Sequence, residues 1–312
     1  MPAAMLCPVC SRAGSPLFTD GGPQILQCAA CRHQWYGAPL AADHAAREYG
    51  DAYFNGGGVG YPDYLSEAAL ITAHGERYAR RPELVRQRDL VAGRPASMLD
   101  VGCAAGFTMQ GFAQQGWQVW GMDPNAAMVA RVHDAAVGGA CTGCFDAAAA
   151  PAMLAARKGL AQGFDLITMI QVVAHLTDLT QTLINLQALL APQGLVLVET
   201  WNSQSRMARW LGRRWHEYSP PNVLHYFSPD SLDALMGRAG LVRLAHGRPL
   251  KRLNLGHARS LFDHKFGHTG LGRTLSVLSR PLPAGLNLPY PAEDLFWTLY
   301  QRQRPDRSTP TE

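Results

Sequence analysis

Two kinds of hydrophobic pattern alternate along this chain: short unbroken apolar runs, and segments whose apolar residues return every three or four positions. Runs at 98–101, 117–122, 140–145, 166–170 and 195–199 read as strands. The last is continuous enough to predict burial on both faces. Helical periods fill 107–115, 124–132, 147–156 and 179–190, where Leu179, Leu183, Leu186, Leu189 and Leu190 share one face. Strand and helix thus alternate, which predicts an α/β domain. Residues 64–90 read as one helix stopped by Gly93, and the Pro192-Gln193-Gly194 triplet reads as a turn. Ser228-Pro229-Asp230 open a helix ending at Gly240, a strand follows at 241–245, and alternation at 295–300 predicts a last, antiparallel strand. Residues 259–280 read as helices or an insertion, and the polar end from Arg304 reads as disordered.

One unit concentrates the chemistry. The run at 98–101 leads into Gly102-Cys103-Ala104-Ala105-Gly106, a helix, and a second run ending at Asp123. A helix N-terminus offers free N–H groups and the positive end of a dipole, so the turn suits a polar ligand. An acid at the tip of the second strand is placed to hold a ribose diol, which points to a nucleoside. A dinucleotide fingerprint needs a second glycine where this chain has Ala104. Asp100, two residues before the first glycine, would repel a pyrophosphate but suits a cationic amino group. A ligand with ribose, adenine and an amino-acid tail therefore fits better than NAD.

Cysteine spacing adds a second site. Four of the seven cysteines form C-x-x-C pairs, Cys7 with Cys10 and Cys28 with Cys31, separated by 17 residues. Two hairpin turns that each present two thiolates to one tetrahedral ion give this spacing, and it predicts a zinc ribbon over 1–40 with a distal turn at Gly21-Gly22-Pro23. A disulfide pair is the alternative; without a charged n-region and apolar stretch at the start, a cytoplasmic location and zinc are the expectation. His33 could substitute as a ligand, but four thiolates already complete a shell. Cys103, Cys141 and Cys144 read as small buried residues. Between ribbon and core, Tyr49, Tyr53, Phe54, Tyr61 and Tyr64 flank the glycine loop Gly56-Gly57-Gly58, which reads as a lid or as a seam packing the ribbon. The arginines at 77, 80, 81, 86 and 88 read as a solvated helix face. No run of 18 apolar residues predicts a membrane span. Charge is uneven: residues 1–200 carry 12 Lys and Arg against 16 Asp and Glu, residues 201–312 carry 16 against 8. A basic last third suits an anionic acceptor or is an ordinary solvated surface.

DVGCAAGF and GMDPN resemble the first two motifs of the class I S-adenosylmethionine-dependent methyltransferases, with Ala104 in place of the usual middle glycine. FDLITMIQVVAHL and LLAPQGLVLVETWN resemble that family's fourth and fifth strand regions, and H-Y-F-S-x-x-S-L followed by A-G-L matches a subgroup with a zinc-ribbon head. The resemblance implies a Rossmann-like, seven-stranded α/β methyltransferase sheet with a small N-terminal zinc ribbon. The expected division is a ribbon at 1–40, linker helices at 41–94 that include the segment read as a lid or a seam, a methyltransferase domain at 95–303 with substrate-side insertions at 203–228 and 255–290, and a tail at 304–312. S-adenosylmethionine and Zn2+ are the implied cofactors. Cofactor contacts would come from Asp100, Gly102, Cys103, Ala104, Gly106, Phe107, Asp123, Pro124, Phe145, Asp146 and Gln171, with Phe145 packed on adenine and Asp146 near its amino group. His175, at the mouth of the fourth strand, is the candidate base or else caps the following helix; the acid that commonly precedes it in the family is Ala174 here. The family's P-P-E-H is Pro220-Pro221-Asn222-Val223, so acid–base work could move to His225, His216 or Glu217. The implied acceptor is a small molecule or glycan precursor. An RNA methyltransferase is the alternative enzyme, although only Arg12 and Arg32 make the ribbon basic. A non-catalytic S-adenosylmethionine-binding zinc protein is a third reading.

Overall fold

The structure, a computed structural model, describes residues 6–18, 24–56, 61, 63–132, 137–158, 163–250, 252–254, 287–289 and 293–303. The expected turn Gly21-Gly22-Pro23, Gly57 and Gly58, most of the 255–290 insertion and the 304–312 tail lie outside these.

The N-terminal part forms β1 (Gly14–Pro16), β2 (Ile25–Cys28) and β3 (Gln34–Tyr36), paired antiparallel in order. Helices α1 (His44–Glu48), α2 (Asp51–Asn55), α3 (Ala68–Ala79) and α4 (Pro82–Leu90) follow. The single helix expected over 64–90 is thus a 3-10 turn at Leu65–Glu67 and two helices. Arg81 is extended at ψ 140° and Pro82 opens α4, where its missing N–H costs nothing. The core then runs β4 (Ser97–Val101), α5 (Phe107–Ala113), β5 (Gln118–Asp123), α6 (Ala126–Val129), β6 (Val137–Thr142), α7 (Ala150–Lys158), β7 (Phe164–Ile170), α8 (Leu179–Leu189) and β8 (Leu190–Trp201). The chain continues with α9 (Arg206–Leu211), β9 (His225–Tyr226), α10 (Pro229–Gly237), β10 (Leu241–Gly247), β11 (Arg252–Asn254), β12 (Asn287–Pro289) and β13 (Leu295–Arg302).

Seven strands form one sheet in the order β10-β13-β8-β7-β4-β5-β6. The strands from β8 to β6 are parallel, and β13 lies antiparallel between β10 and β8. This is the α/β sheet that the alternation of strand and helix predicts. Chain order reverses between β4 and β7, and open sheets of this kind hold ligands beyond the strand carboxyl ends at that switch point. Two features of the sheet differ from expectation. The third strand is displaced toward the N-terminus and contains Gly138 and Gly139, leaving Phe145 beyond its end. Gly138 lies against the Trp120 ring, where a side chain would not fit. The Pro192-Gln193-Gly194 triplet persists as an irregularity within β8, with Pro192 and Gln193 exposed, where pairing with β7 jumps from Leu190 to Leu195. Among the described residues no helix is long and apolar enough to cross a membrane.

The arginine helices are more than a solvated face. Arg81 stacks on the Trp297 ring at 3.6 Å, Arg88 donates to the Gln115 carbonyl at 2.6 Å, and Arg77 reaches the rim of a cleft. Helix α3 packs on α5 through two glycines, Gly75 and Gly111. A Cβ on Gly75 would lie 2.6 Å from the Thr108 carbonyl oxygen, which is backbone and cannot turn aside. Gly75→Ala is therefore expected to force the helices apart and lower stability by about 1–3 kcal/mol. A thermal melt checks this; an unchanged midpoint would mean the two helices are not tightly apposed.

Candidate cofactor and acceptor site

The sheet's switch point opens into a cleft roofed by the segment between ribbon and core. Its floor is the glycine turn and the ends of β5, β7 and β8. Gly102 (φ 72°), Ala104 (φ 45°) and Gly106 (φ 80°) all adopt the left-handed conformation. Ala104 does so despite its methyl group, the strain expected where a glycine is usual. A Cβ on Gly102 would collide with the Val172 side chain. The turn is tied to Asp123: the Ala104 N–H donates to Oδ2 at 2.9 Å and the Asn125 N–H to Oδ1 at 2.8 Å. Each carboxylate oxygen keeps acceptor capacity for a ligand hydroxyl.

Of the eleven residues expected to touch a cofactor, Gly102, Cys103, Ala104, Asp123, Pro124, Phe145, Asp146 and Gln171 line the cleft. Asp100, Gly106 and Phe107 do not line it. Asp100 lies beneath the turn and accepts the Thr168 hydroxyl at 2.6 Å. Gly106 caps α5, and Phe107 stacks on Tyr64 with ring centres 5.4 Å apart. Burial pushes the Asp100 carboxyl up to about 7; the Thr168 hydroxyl opposes this and the neighbouring Asp123 charge adds to it. Burial raises Asp123 as well, opposed by the two N–H groups it accepts. Two clustered carboxyls, both raised by burial, are an environment that a cationic ligand would relieve. Asp146 turns its carboxylate to the start of α8, accepting from the Thr177 N–H (2.7 Å), the Thr177 hydroxyl (2.7 Å) and the Asp178 N–H (3.1 Å).

Tyr49, Tyr53, Phe54, Tyr61 and Tyr64 all line the cleft, joined by edge-to-face contacts at 5.0–6.0 Å. Phe54 and Tyr64 also pack with Ala104, Ala105 and Met128, so this aromatic group sits on the glycine turn and not against the ribbon. Cys144 lines the cleft as well and is only half-buried, unlike Cys103 and Cys141.

His175 lines the cleft at the end of a 3-10 turn after β7. Its Nδ1 is 2.9 Å from the Asn222 carbonyl oxygen and 3.1 Å from the Tyr49 hydroxyl, which itself donates to Asn222 O at 2.8 Å. A carbonyl only accepts, so Nδ1 carries the proton and Nε2 the lone pair. Nε2 has no hydrogen-bond partner among the described residues. Burial lowers the His175 pKa; the Asn222 carbonyl opposes this and His44 reinforces it. The ring is thus neutral near pH 7, with one free nitrogen in the cleft. The carboxylate missing at Ala174 is replaced by a backbone carbonyl and a phenol from elsewhere in the chain.

His225 lies elsewhere: it is buried, does not line the cleft, and uses both ring nitrogens for contacts to His33 (3.3 Å) and the Leu176 carbonyl (3.0 Å). This geometry corrects its candidacy as a base, because no ring nitrogen is left to meet an acceptor. His216 and Glu217 also lie outside the lining. The sequence reading missed a polar cluster at the other end of the cleft. Glu199, fully buried at the end of β8, accepts from His74 Nε2 (2.7 Å), the Tyr78 hydroxyl (2.5 Å) and Gln171 Nε2 (2.8 Å). An acid closing an apolar strand is the same signal that singled out Asp123.

In the ribbon, the four Sγ atoms of Cys7, Cys10, Cys28 and Cys31 lie within 4.8 Å of one another. The Cys7–Cys31 and Cys10–Cys28 separations of 3.5 and 3.4 Å are far beyond a disulfide bond, and all four thiols face a common centre. Burial raises the Cys28 thiol, but the N–H groups of Cys31 and Ala30 outweigh it and bring it down to about 7. Burial raises Cys7 and Cys31 instead; it is the convergence of four sulfurs that fits a tetrahedral Zn2+. His33 turns away toward His225.

The sheet order and the cleft define a nucleoside-binding domain of the class I methyltransferase type. Residues 73–246 match the model of the methyltransferase domain family, and the chain belongs to that family. It is 31% identical over 146 residues to a ubiquinone biosynthesis O-methyltransferase from Bradyrhizobium sp. (strain ORS 278), covering 43% of this chain and 54% of that one. A ubiquinone biosynthesis O-methyltransferase from Cereibacter sphaeroides (strain ATCC 17029 / ATH 2.4.9) is 30% identical over 170 residues, covering 49% and 64%. The matches thus span about half to two thirds of the length of these relatives. Among solved structures, the Burkholderia thailandensis 1,6-didemethyltoxoflavin-N1-methyltransferase with bound S-adenosylhomocysteine superposes with TM-score 0.47 at 17% identity, covering 92% of this chain and 98% of that one.

Proposed function

We propose that this protein is an S-adenosylmethionine-dependent methyltransferase that acts on a hydroxyl of a small-molecule acceptor, glycan precursors included. The observation that carries the reading is His175: a neutral imidazole in the cleft with Nδ1 held by Asn222 and Nε2 free. Such a group is needed for a hydroxyl acceptor, which must lose a proton. The relatives named as O-methyltransferases support the same choice.

When bound, S-adenosylmethionine supplies a methyl group already activated by a sulfonium centre. Asp123 would hold its ribose hydroxyls, Pro124 and Phe145 would flank its base, and Gly102 to Ala104 would pass beneath its amino-acid tail. Asp146 would border the base through backbone and through the loop it ties down. Asp100 would act from below the turn by its charge, not by contact. His175 Nε2 would take the acceptor's proton while Asn222 and Tyr49 keep the ring from rotating. The tyrosines would exclude water and align the acceptor. Cys7, Cys10, Cys28 and Cys31 would hold Zn2+, making residues 1–40 a metal-folded ribbon ahead of the linker at 41–94 and the methyltransferase domain at 95–303.

Calorimetric titration with S-adenosylmethionine tests the reading. Asp123→Asn leaves a buried N–H facing an NH2 group and is expected to weaken binding about tenfold or more. Binding should also weaken as pH falls through about 7, because protonating Asp100 removes the charge that attracts the cation. Wild-type protein that binds no S-adenosylmethionine between pH 7 and pH 8.5 would sink the reading; affinity independent of pH would remove Asp100 from it.

A further inference from the structure

The ribbon does not stand apart from the cleft. Its strand β3 is extended by β9, which comes from the far side of the methyltransferase region, with Gln34 opposite Tyr226 and Trp35 opposite His225. The Tyr36 N–H donates to the Leu224 carbonyl at 2.8 Å, and the Leu224 N–H donates to the Ala174 carbonyl at 2.9 Å. One strand edge therefore joins the ribbon to the turn that carries His175.

A chain of side chains runs parallel to it, and its proton positions follow from one carbonyl. Leu176 O can only accept, so His225 Nε2 carries the proton of their 3.0 Å contact. A neutral His225 then has a bare Nδ1, so the 3.3 Å contact to His33 requires His33 Nε2 to donate. The remaining His33 nitrogen, Nδ1, then carries the lone pair; it is buried and has no partner among the described residues. Both rings are buried, and His33 and Phe227 pack at 4.7 Å, so neither ring is free to flip. The direction runs from ribbon to Leu176, the residue after His175.

We propose that the ribbon, through His33 and His225, fixes the turn that orients His175, so that His225 is a positioning residue. Removing the donor at 225 frees the Leu176 carbonyl, and the 173–176 turn loses its side-chain tie to β9, keeping the Leu224 N–H bond to the Ala174 carbonyl. The His175 ring would then no longer hold Nδ1 against Asn222 O, and both of its tautomers would be populated. The inference rests on the reading of His175 as the base, but its test needs no acceptor and no cofactor.

The experiment is long-range proton–nitrogen NMR of histidine rings in the full chain, with the His175 signals assigned by their loss in His175→Gln. Wild-type protein should show His175 as the Nδ1-protonated tautomer. His225→Leu should convert it to a mixture, whereas His225→Gln, whose amide can donate to Leu176 O and accept from His33, should keep the wild-type pattern. A wild-type pattern in His225→Leu, or its loss in both variants, would overturn the proposal. If His225→Leu does not melt cooperatively, His33→Phe decides, since it keeps a ring but removes the donor: a mixed His175 supports the role of the ribbon and an unchanged one refutes it. Absence of methyl transfer with an ordered His175 would instead count against the proposed function alone.

Discussion

Replacing His175 by Gln is expected to lower methyl transfer to a hydroxyl acceptor by about 10²–10⁴-fold, the usual contribution of a positioned base. Glutamine can still donate to the Asn222 carbonyl, so the turn should keep its shape while the free Nε2 lone pair disappears. Cofactor affinity should stay within about twofold, because the proposed binding role falls to Asp123 and the glycine turn and not to His175. In the wild type, the rate should fall as pH drops and the ring takes up a proton. The midpoint should lie below the ordinary histidine value, since burial depresses this pKa. S-adenosylhomocysteine formed with a panel of small hydroxyl acceptors measures both effects. Full activity in His175→Gln would exclude the residue as the base, and the acceptor would then need no proton removed by this side chain.

Cys28→Ser is expected to have the larger structural effect. A unit of about forty residues buries too little apolar surface to fold alone, and structural zinc contributes on the order of 10 kcal/mol. Bound zinc should drop from about one ion per chain to a small fraction, and strands β1 to β3 should lose hydrogen-exchange protection. The sheet face under α3 to α5 should keep its protection, because no ribbon residue packs there, whereas the other face shares a cluster with Cys7, Val9, Leu26, Cys28 and Trp35 and should lose some. The 173–176 turn should loosen with the ribbon, since β9 bridges the two. An ordered ribbon without metal, or disulfides found by mass spectrometry of the native protein, would overturn the zinc assignment.

Some of this was legible from pattern alone. The unit from Ser97 to Asp123 could be read because each of its parts has a local cause: apolar runs for strands, left-handed turn positions for glycine, an acid at a strand tip. The C-x-x-C pairs were legible for the same reason, since tight turns set their spacing. Boundaries failed where a distant contact overrode the local signal. The third strand, read as 140–145, instead starts at Val137 and takes in Gly138 and Gly139, because the space beside Trp120 accepts only a glycine at 138. Pro192 read as a break, yet an irregularity lets β8 continue past it.

By itself, the sequence determined the alternation of strand and helix, the turn that defines the cleft, and the four-thiol cluster. Each depends on residues within about twenty-five positions of one another. Only the tertiary structure decided the roles of the histidines. The partners of His175 come from Tyr49 and Asn222, 126 and 47 positions away, and one of them is a backbone carbonyl that no side-chain motif encodes. His225 and His33 meet across 192 positions because β9 pairs with the ribbon. Glu199 becomes a hub only when α3 folds over the end of β8. Local pattern fixes which elements form; which side chain has a free nitrogen depends on what the other elements bring to it.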